Sequence, residues 1–426
     1  MAEIMALEQI FVSIVLLLAL ARLLGELFKR MNQPTLGGEV LAGVILGPTL
    51  LGIVHPSENL DLISSMAIFF IMLFIGLEMD IRQIRKSGKT AVIISVVSLV
   101  LPFLATYGIS TYFGIELLPA LFMALLLSVT SVPVSAMILS QLGLLKSKLG
   151  TTVMSAAIVD DIITLIIFAF ILQVHQLGVA DLSRIDYGAL GISSLKMALF
   201  LVGIGSLAFV VHKFNDWFPK KVEWFFAKAR TREAIFGILI IAAITISLLA
   251  ELADLHFIIG TFFAGLIFSE RLLGKRETDK AYGIASGITF AFFAPLFFAI
   301  LGMKFSGQSI ADSIPYLILL IAAGLATKTA GGYLGAKVCK YSKIESLALA
   351  SLLNGRGTVG LAITALAFSA GIISITLFSI AVVICFVTTM ITPVLARPFL
   401  RKMLVVDADQ GNENIHGPRT SSHQSA

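Results

Sequence analysis

Charge is the scarcest property of this sequence: Asp, Glu, Lys and Arg make up 13% of its 426 residues, against about 25% in an ordinary soluble domain. Cysteine is nearly absent. Cys339 and Cys385 are too few for a disulfide framework, and both fall in or beside helical segments, where they read as packing residues. No GxxxxGK motif followed by Ser or Thr occurs, which argues against ATP-driven transport. The apolar runs hold no nucleophile–base pair and no metal-ligand cluster, so neither an enzyme nor a bound cofactor is expected. What fills the space is apolar: 58% of the residues are hydrophobic. A soluble chain could not hide that much apolar surface, so the chain reads as an all-α polytopic membrane protein. The first run, 10–27, lacks a basic leader and is long enough to span, so it reads as the first helix and not as a cleavable signal.

Apolar runs separated by short polar loops place thirteen spans near 8–28, 35–53, 62–79, 90–113, 117–143, 150–174, 190–212, 234–251, 256–270, 281–303, 313–337, 345–370 and 374–396. The loops between them alternate in charge. One set carries Lys29 and Arg30, then Arg82, Arg85, Lys86 and Lys89, then Lys146 and Lys148. It goes on through Lys213, Lys220, Lys221, Lys228, Arg230 and Arg232, then Arg271, Lys275, Arg276 and Lys280, then Lys337, Lys340 and Lys343, and ends with Arg397, Arg401 and Lys402. The other set carries Glu58 and Asp61, Glu116, Asp181 and Asp186, Glu251 and Asp254, and Asp312, with Arg184 nearly alone as a cation. The positive-inside rule then places the N-terminus outside and the C-terminus in the cytoplasm. The net charge of +5 is a topology signal and not a nucleic-acid patch. Residues 405–426 form a short polar tail, expected to be disordered.

Two stretches repeat one another. AIFFIMLFIGLEMD (67–80) is followed by a span, then LLLSVTSVPVSAMIL (125–139), then a span with Asp160 and Asp161. AFFAPLFFAILGMKFS (291–306) is followed by a span with Lys328, then SLLNGRGTVGLAITAL (351–366), then a last span. The two starting helices are the third and the tenth spans, an odd offset, so the copies are inverted. In both, a helix is interrupted at mid-membrane, by Thr130, Ser131, Pro133 and Ser135 in the first and by Asn354, Gly355, Arg356 and Gly357 in the second. Interrupted helices at matching positions of two halves mark a transporter's binding site. They free carbonyls and amides that only a cavity or surrounding protein can accommodate. A packing kink is the alternative for either break taken alone.

Within these spans the ionisable residues carry the chemistry. A mid-membrane carboxylate costs roughly 2.5–3.5 kcal/mol to insert, and two adjacent ones cost more unless paired or protonated. Asp160 and Asp161 can therefore hold protons, or a small cation once deprotonated, and that competition is all an exchanger requires. Adjacent helical residues point about 100° apart, so one aspartate can pair while the other faces the ion. Lys328 sits near mid-span, and Asp160 is its expected partner. Glu78 and Lys304 end the two starting helices and suggest a salt bridge across the repeats with a structural or gating role. Arg356 stands where it could neutralise carbonyl dipoles at the second break. His175, His212 and His256 lie at span edges, where solvation accounts for them, and Glu39 near one edge fits packing or entrance chemistry.

The ordered set QPTLGGEVLAGVILGP (33–48), FFIMLFIGLEMD (69–80), VTSVPVSA (129–136), VDDI (159–162), APLFFAILGMKF (294–305), Lys328 and NGRG (354–357) resembles the monovalent cation:proton antiporter-two family of the sodium/proton exchanger superfamily. The resemblance covers residues 10 to 400. It implies a sodium/proton antiporter-like fold with crossed broken helices. Residues 1–404 would then hold dimerisation helices and a six-helix ion-binding core, including 62–174 and 281–396. It also implies a homodimer that exchanges Na+, Li+ or K+ for H+ by elevator-like alternating access. Asp161 matches the family's ion-binding aspartate. Asp160 matches the acid that electrogenic members pair with a lysine at the position of Lys328, which suggests more than one H+ per cation. NGRG is also similar to organellar and plant-type members that often carry K+. The expectation is an electrogenic antiporter of Na+, and of Li+, at a site of Asp161, Asp160, Thr130 and Ser131, with a K+/H+ antiporter or a cation channel as alternatives.

Overall fold

The computed structural model describes residues 2–79, 81–178, 187–213, 232–268 and 275–415. Of the loop charges that orient the chain, Asp181, Arg184, Asp186, Lys220, Lys221, Lys228, Arg230 and Arg271 lie outside the described residues. Among the described residues the chain is helical throughout, with no strand. Among the described residues ten helices are long and apolar enough to cross a membrane, and the helices over Thr35–Leu46, Phe257–Ile267 and Thr358–Ser369 are shorter and apolar.

The first three helices are α1 (Ala2–Arg30), α2 (Thr35–Leu46) and α3 (Glu58–Glu78). The glycines of the 33–48 motif explain how α2 is held. A Cβ on Gly38 would lie 2.4 Å from the Leu24 carbonyl carbon on α1, and one on Gly43 would lie 1.7 Å from Ala299 O, on the helix over Ala294–Met303. That helix, α12, returns the approach with Gly302, whose Cβ would meet Val40 O at 2.0 Å. Without side chains the backbones come within packing distance, a device common where helices meet in lipid. Gly43→Ala is expected to overpack this contact and cost about 1–3 kcal/mol. A lower thermal midpoint of the purified variant, with less folded protein recovered, is the readout; an unchanged midpoint would refute the close approach.

Beyond α3, α4 (Ile81–Tyr112) is kinked at Gly88, whose φ of 49° only glycine adopts freely, so a short basic segment turns away from the span that follows. The first interrupted span comprises α5 (Leu117–Ser128) and α6 (Val132–Gln141). Val129 and Ser131 take extended backbone, and Pro133 in the first turn of α6 lets the helix restart there. Then come α7 (Lys148–Gln176), α8 (Tyr187–Lys213), α9 (Arg232–Leu252) and α10 (Phe257–Ile267). The span expected over 281–303 is α11 (Lys275–Ile288), a π-turn over Thr289–Phe293, and α12. Pro295 cannot donate to the preceding turn, and the wider π-turn just before it absorbs the mismatch. The chain ends with α13 (Ile314–Val338), the second interrupted span α14 (Lys343–Leu352) and α15 (Thr358–Ser369), and α16 (Ile375–Ile415).

Two sets of helices emerge. α2 packs on α1 and α12, and α3 packs mainly on α10 and α12. In the other set α4 packs on α5, α7 and α13, while α14 packs on α13 and α16. The starting helices α3 and α12 thus pack mainly with the first set. The final helix continues to Ile415, past the tail boundary at 404, since extending a formed helix costs far less than starting one. Residues 416–426 lie outside the described residues. In the loop between α9 and α10, Asp254 accepts at Oδ2 from Lys196 and Ser193 of α8 at 3.0 and 2.9 Å, and these bonds hold its carboxyl below the usual range. The stabilisation is present above the unfolded-state value and fades as pH falls through the depressed one. Because a third of the Asp254 side chain is exposed, that contribution is small.

Candidate ion-binding site

The two breaks meet. Ser131 N donates to Gly355 O at 2.7 Å, so the extended segments between the half-helices run against each other. The contact is close enough that a Cβ on Gly357 would lie 2.1 Å from Ser131 Oγ, which explains the glycine. The crossing then consumes the orphan carbonyls at the half-helix ends. Thr130 Oγ1 donates to Leu353 O at 3.2 Å, and Ser135 Oγ to Leu352 O at 2.8 Å. Asn354 Nδ2 donates to Thr329 Oγ1 at 2.8 Å and to Ala350 O at 3.0 Å.

The end of α5 is served by two buried cations. Arg356 is fully buried and spreads its guanidinium over Leu127 O, Asn354 O (2.9 Å) and Gly324 O (3.3 Å). Thr389 Oγ1 holds the Arg356 carbonyl at 2.9 Å. Lys328, also fully buried, donates to Ser128 O and lies 3.0 Å from Asp160 Oδ2. Placing positive charge on the C-terminal carbonyls of a half-helix answers the negative end of its dipole. The contacts thus pair Lys328 with Asp160 and set Arg356 on half-helix carbonyls.

Asp161 is different. It has no exposed surface, and neither carboxylate oxygen has a hydrogen-bond partner. Such a group is costly in a protein interior unless a proton, an ion or water meets it. Thr164 Oγ1, one turn along α7, and Asn354 Oδ1 are likewise buried and unpartnered. With Asp160, Lys328 and Arg356 ionised, their charges and that of Asp161 cancel across the cluster. Asp161 is the member of this cluster with neither carboxylate oxygen hydrogen-bonded among the described residues.

Two outcomes differ from the sequence reading. Lys304 pairs with Asp61, at the far end of α3 from Glu78. The separation along that helix is about 25 Å by helix rise. The reason is the inversion itself: matching ends of inverted copies lie on opposite faces of the molecule, so Glu78 and Lys304 cannot meet. The Thr164 hydroxyl is not among the residues the sequence suggests, although a hydroxyl three residues after Asp161 shares its helix face. His256 caps α10 through Nδ1 to Ile258 N at 3.3 Å, and His175 Nε2 lies 2.9 Å from Ala370 O, so both edge histidines have local roles. The side chain of His212 is outside the described residues.

A cavity of about 320 Å³ approaches the crossing from the end of the molecule that bears Lys29. Ser131, Gly357 and Thr358 of the crossing line it on one side, and Glu39 of α2 on the other.

Residues 14–402 match the family model described as sodium/hydrogen exchanger, transmembrane. Among curated relatives, the Na(+)/H(+) antiporter NhaS4 of Synechocystis is 30% identical, over 90% of this chain and 95% of its own. The probable Na(+)/H(+) antiporter GerT of Bacillus cereus is 29% identical over 93% of this chain and 99% of its own. The Na(+)/H(+)-K(+) antiporter GerN of Bacillus cereus is also 29% identical, over 90% of this chain and 95% of its own. Among solved structures, the sodium proton antiporter MjNhaP1 of Methanocaldococcus jannaschii superposes with a TM-score of 0.65 at 16% identity. That alignment covers 91% of this chain and 96% of that one, and shows a shared fold.

Proposed function

This multi-pass membrane chain belongs to the sodium/hydrogen exchanger family, and from that premise we propose that it exchanges Na+, or Li+, for H+ at Asp161, electrogenically and by an elevator-like movement. The observation that carries the reading is the fully buried Asp161 carboxylate with both oxygens unpartnered, beside the ion-paired Asp160 and Lys328. A carboxylate so placed is stable when protonated or when it holds a cation, and unstable bare. Only the loaded states should cross the apolar surface of the other helix set, which couples the two fluxes. Asp160 and Lys328 would supply a further proton: when the cation enters, the pair's charge balance shifts and the lysine releases its proton. More than one H+ per cation then moves net charge. Thr130 would contribute an oxygen near the cation.

The moving part is proposed to be α4–α7 with α13–α16, and the first helix set to form the dimer contact between two copies. The C-terminus is proposed to lie in the cytoplasm, on the side of the basic loops. K+ is the second candidate ion, favoured by the NGRG break and by the GerN relative, whose name includes K(+).

The test uses proteoliposomes with a preset pH gradient and a lumenal pH dye, challenged in turn with NaCl, LiCl, KCl and choline chloride, with membrane potential clamped and free. Collapse with Na+ and Li+ only, sensitive to the clamp, is the expected result. Collapse with K+ as well would move the assignment to a K+/H+ antiporter, and conductance without proton movement would replace antiport with a channel.

A further inference from the structure

Asp161 is not among the residues that line the cavity beside the crossing. Among the described residues that line it, Glu39 is the one acid and Lys29 the one base. Lys29 lies at the outer edge of α1, whereas Glu39 is buried, with 6% of its surface exposed. Three of its lining residues carry a buried side-chain oxygen with no hydrogen-bond partner among the described residues: Ser131 Oγ, Thr358 Oγ1 and Gln33 Oε1. Ser131 is 1% exposed and Thr358 8%, so bulk water does not satisfy them. Buried oxygens without a partner, on a cavity that also holds a buried carboxylate, are groups that a cation or water can meet. The rest of the wall is largely apolar, and charge interactions strengthen in such surroundings.

We propose that Glu39, with the Ser131 and Thr358 hydroxyls, forms a second cation site that holds a partly dehydrated monovalent cation before it passes to Asp161. The inference rests on the antiport reading for the identity of the ion. The site is a weak one. The N-termini of α6 and α15, where Ser131 and Thr358 sit, present the positive ends of their helix dipoles. Lys29 adds positive charge at the mouth, and Arg22 acts on Glu39 from α1, where its guanidinium also donates to Phe290 O. These opposing charges keep residence short, and an ion in transit must be able to leave. Glu39 also stands on α2, away from the aspartates of α7. If α7 moves and α2 does not, the handover can take place at only one membrane face.

The transport arm compares Na+ kinetics of wild type and Glu39→Gln in everted and in right-side-out membrane vesicles. Glu39→Gln is expected to raise KM for Na+ about five- to tenfold at one face and leave the other within twofold, with Glu39→Asp recovering part of the loss. No change at either face, or an equal change at both, would overturn the proposal. The binding arm needs no transport: equilibrium binding of radioactive Na+ to purified Asp161→Asn and to Asp161→Asn/Glu39→Gln. Weak residual binding in the first and none in the second is expected. Absence of binding in Asp161→Asn, or its persistence in the double variant, would overturn the second site. If wild type carries no cation in vesicles, the antiport reading fails, and the binding arm still decides the role of Glu39. Thermal midpoints measured alongside separate a misfolded variant from an empty site.

Discussion

Asp161→Asn is expected to abolish cation-driven proton movement, by roughly two orders of magnitude or more, a loss of about 3 kcal/mol in transition-state terms. Asparagine has the shape of a protonated aspartate but cannot lose a proton or offer a full negative charge. The protein should fold, because the carboxylate it replaces has no hydrogen bond to lose. The thermal midpoint should stay level or rise, since a buried group that pays for its charge without a partner weakens the native state. Dye-monitored flux and a thermal melt on the same preparation check both halves. Near-normal flux would remove Asp161 from the ion path, and a collapsed midpoint would mean that it holds the fold together.

Lys328→Met should act in the opposite manner on stability. The ammonium lies 3.0 Å from Asp160 Oδ2 and also meets Ser128 O, with both side chains out of solvent. Removing one partner of a buried pair leaves the other charge uncompensated, at a cost of about 3–5 kcal/mol. The double variant Asp160→Asn/Lys328→Met should recover much of that loss, since the stranded charge is gone. Function separates the pair's second role. Any exchange that survives in the double variant should be insensitive to membrane potential, with one proton moved per cation. Thermal melts across the double-mutant cycle, and flux with the potential clamped and free, give the readout. Additive losses in stability would show that the two residues do not interact in the folded protein. Unchanged voltage sensitivity would detach the pair from proton coupling.

The parts of this site that were legible in the sequence are those with a local cost. A Pro and paired hydroxyls inside an apolar run must break a helix, and an Asp-Asp step or a mid-span lysine must find a partner or a ligand. The breaks over 129–131 and 353–357 and the Asp160–Lys328 pair follow from those costs. What escaped depends on three-dimensional orientation. Lys304 meets Asp61 because inversion carries equivalent helix ends to opposite faces, and sequence similarity alone suggests the reverse. The contact of Gly357 with Ser131 joins positions 226 residues apart, and nothing local marks it. The grouping of α3 and α12 with α2 and α10 reflects close backbone approach at glycines such as Gly76, whose Cβ would lie 2.3 Å from Phe262 O. Glycines in an apolar run announce a close approach but not its partner.

The central claim is that one buried carboxylate holds either a proton or a cation, never both. Proton release on cation binding tests it directly, with purified protein in weakly buffered detergent solution, a pH indicator and no membrane gradient. Adding NaCl, but not choline chloride, should release protons from wild type, with the signal lost in Asp161→Asn. Saturable Na+ binding without proton release would contradict the account.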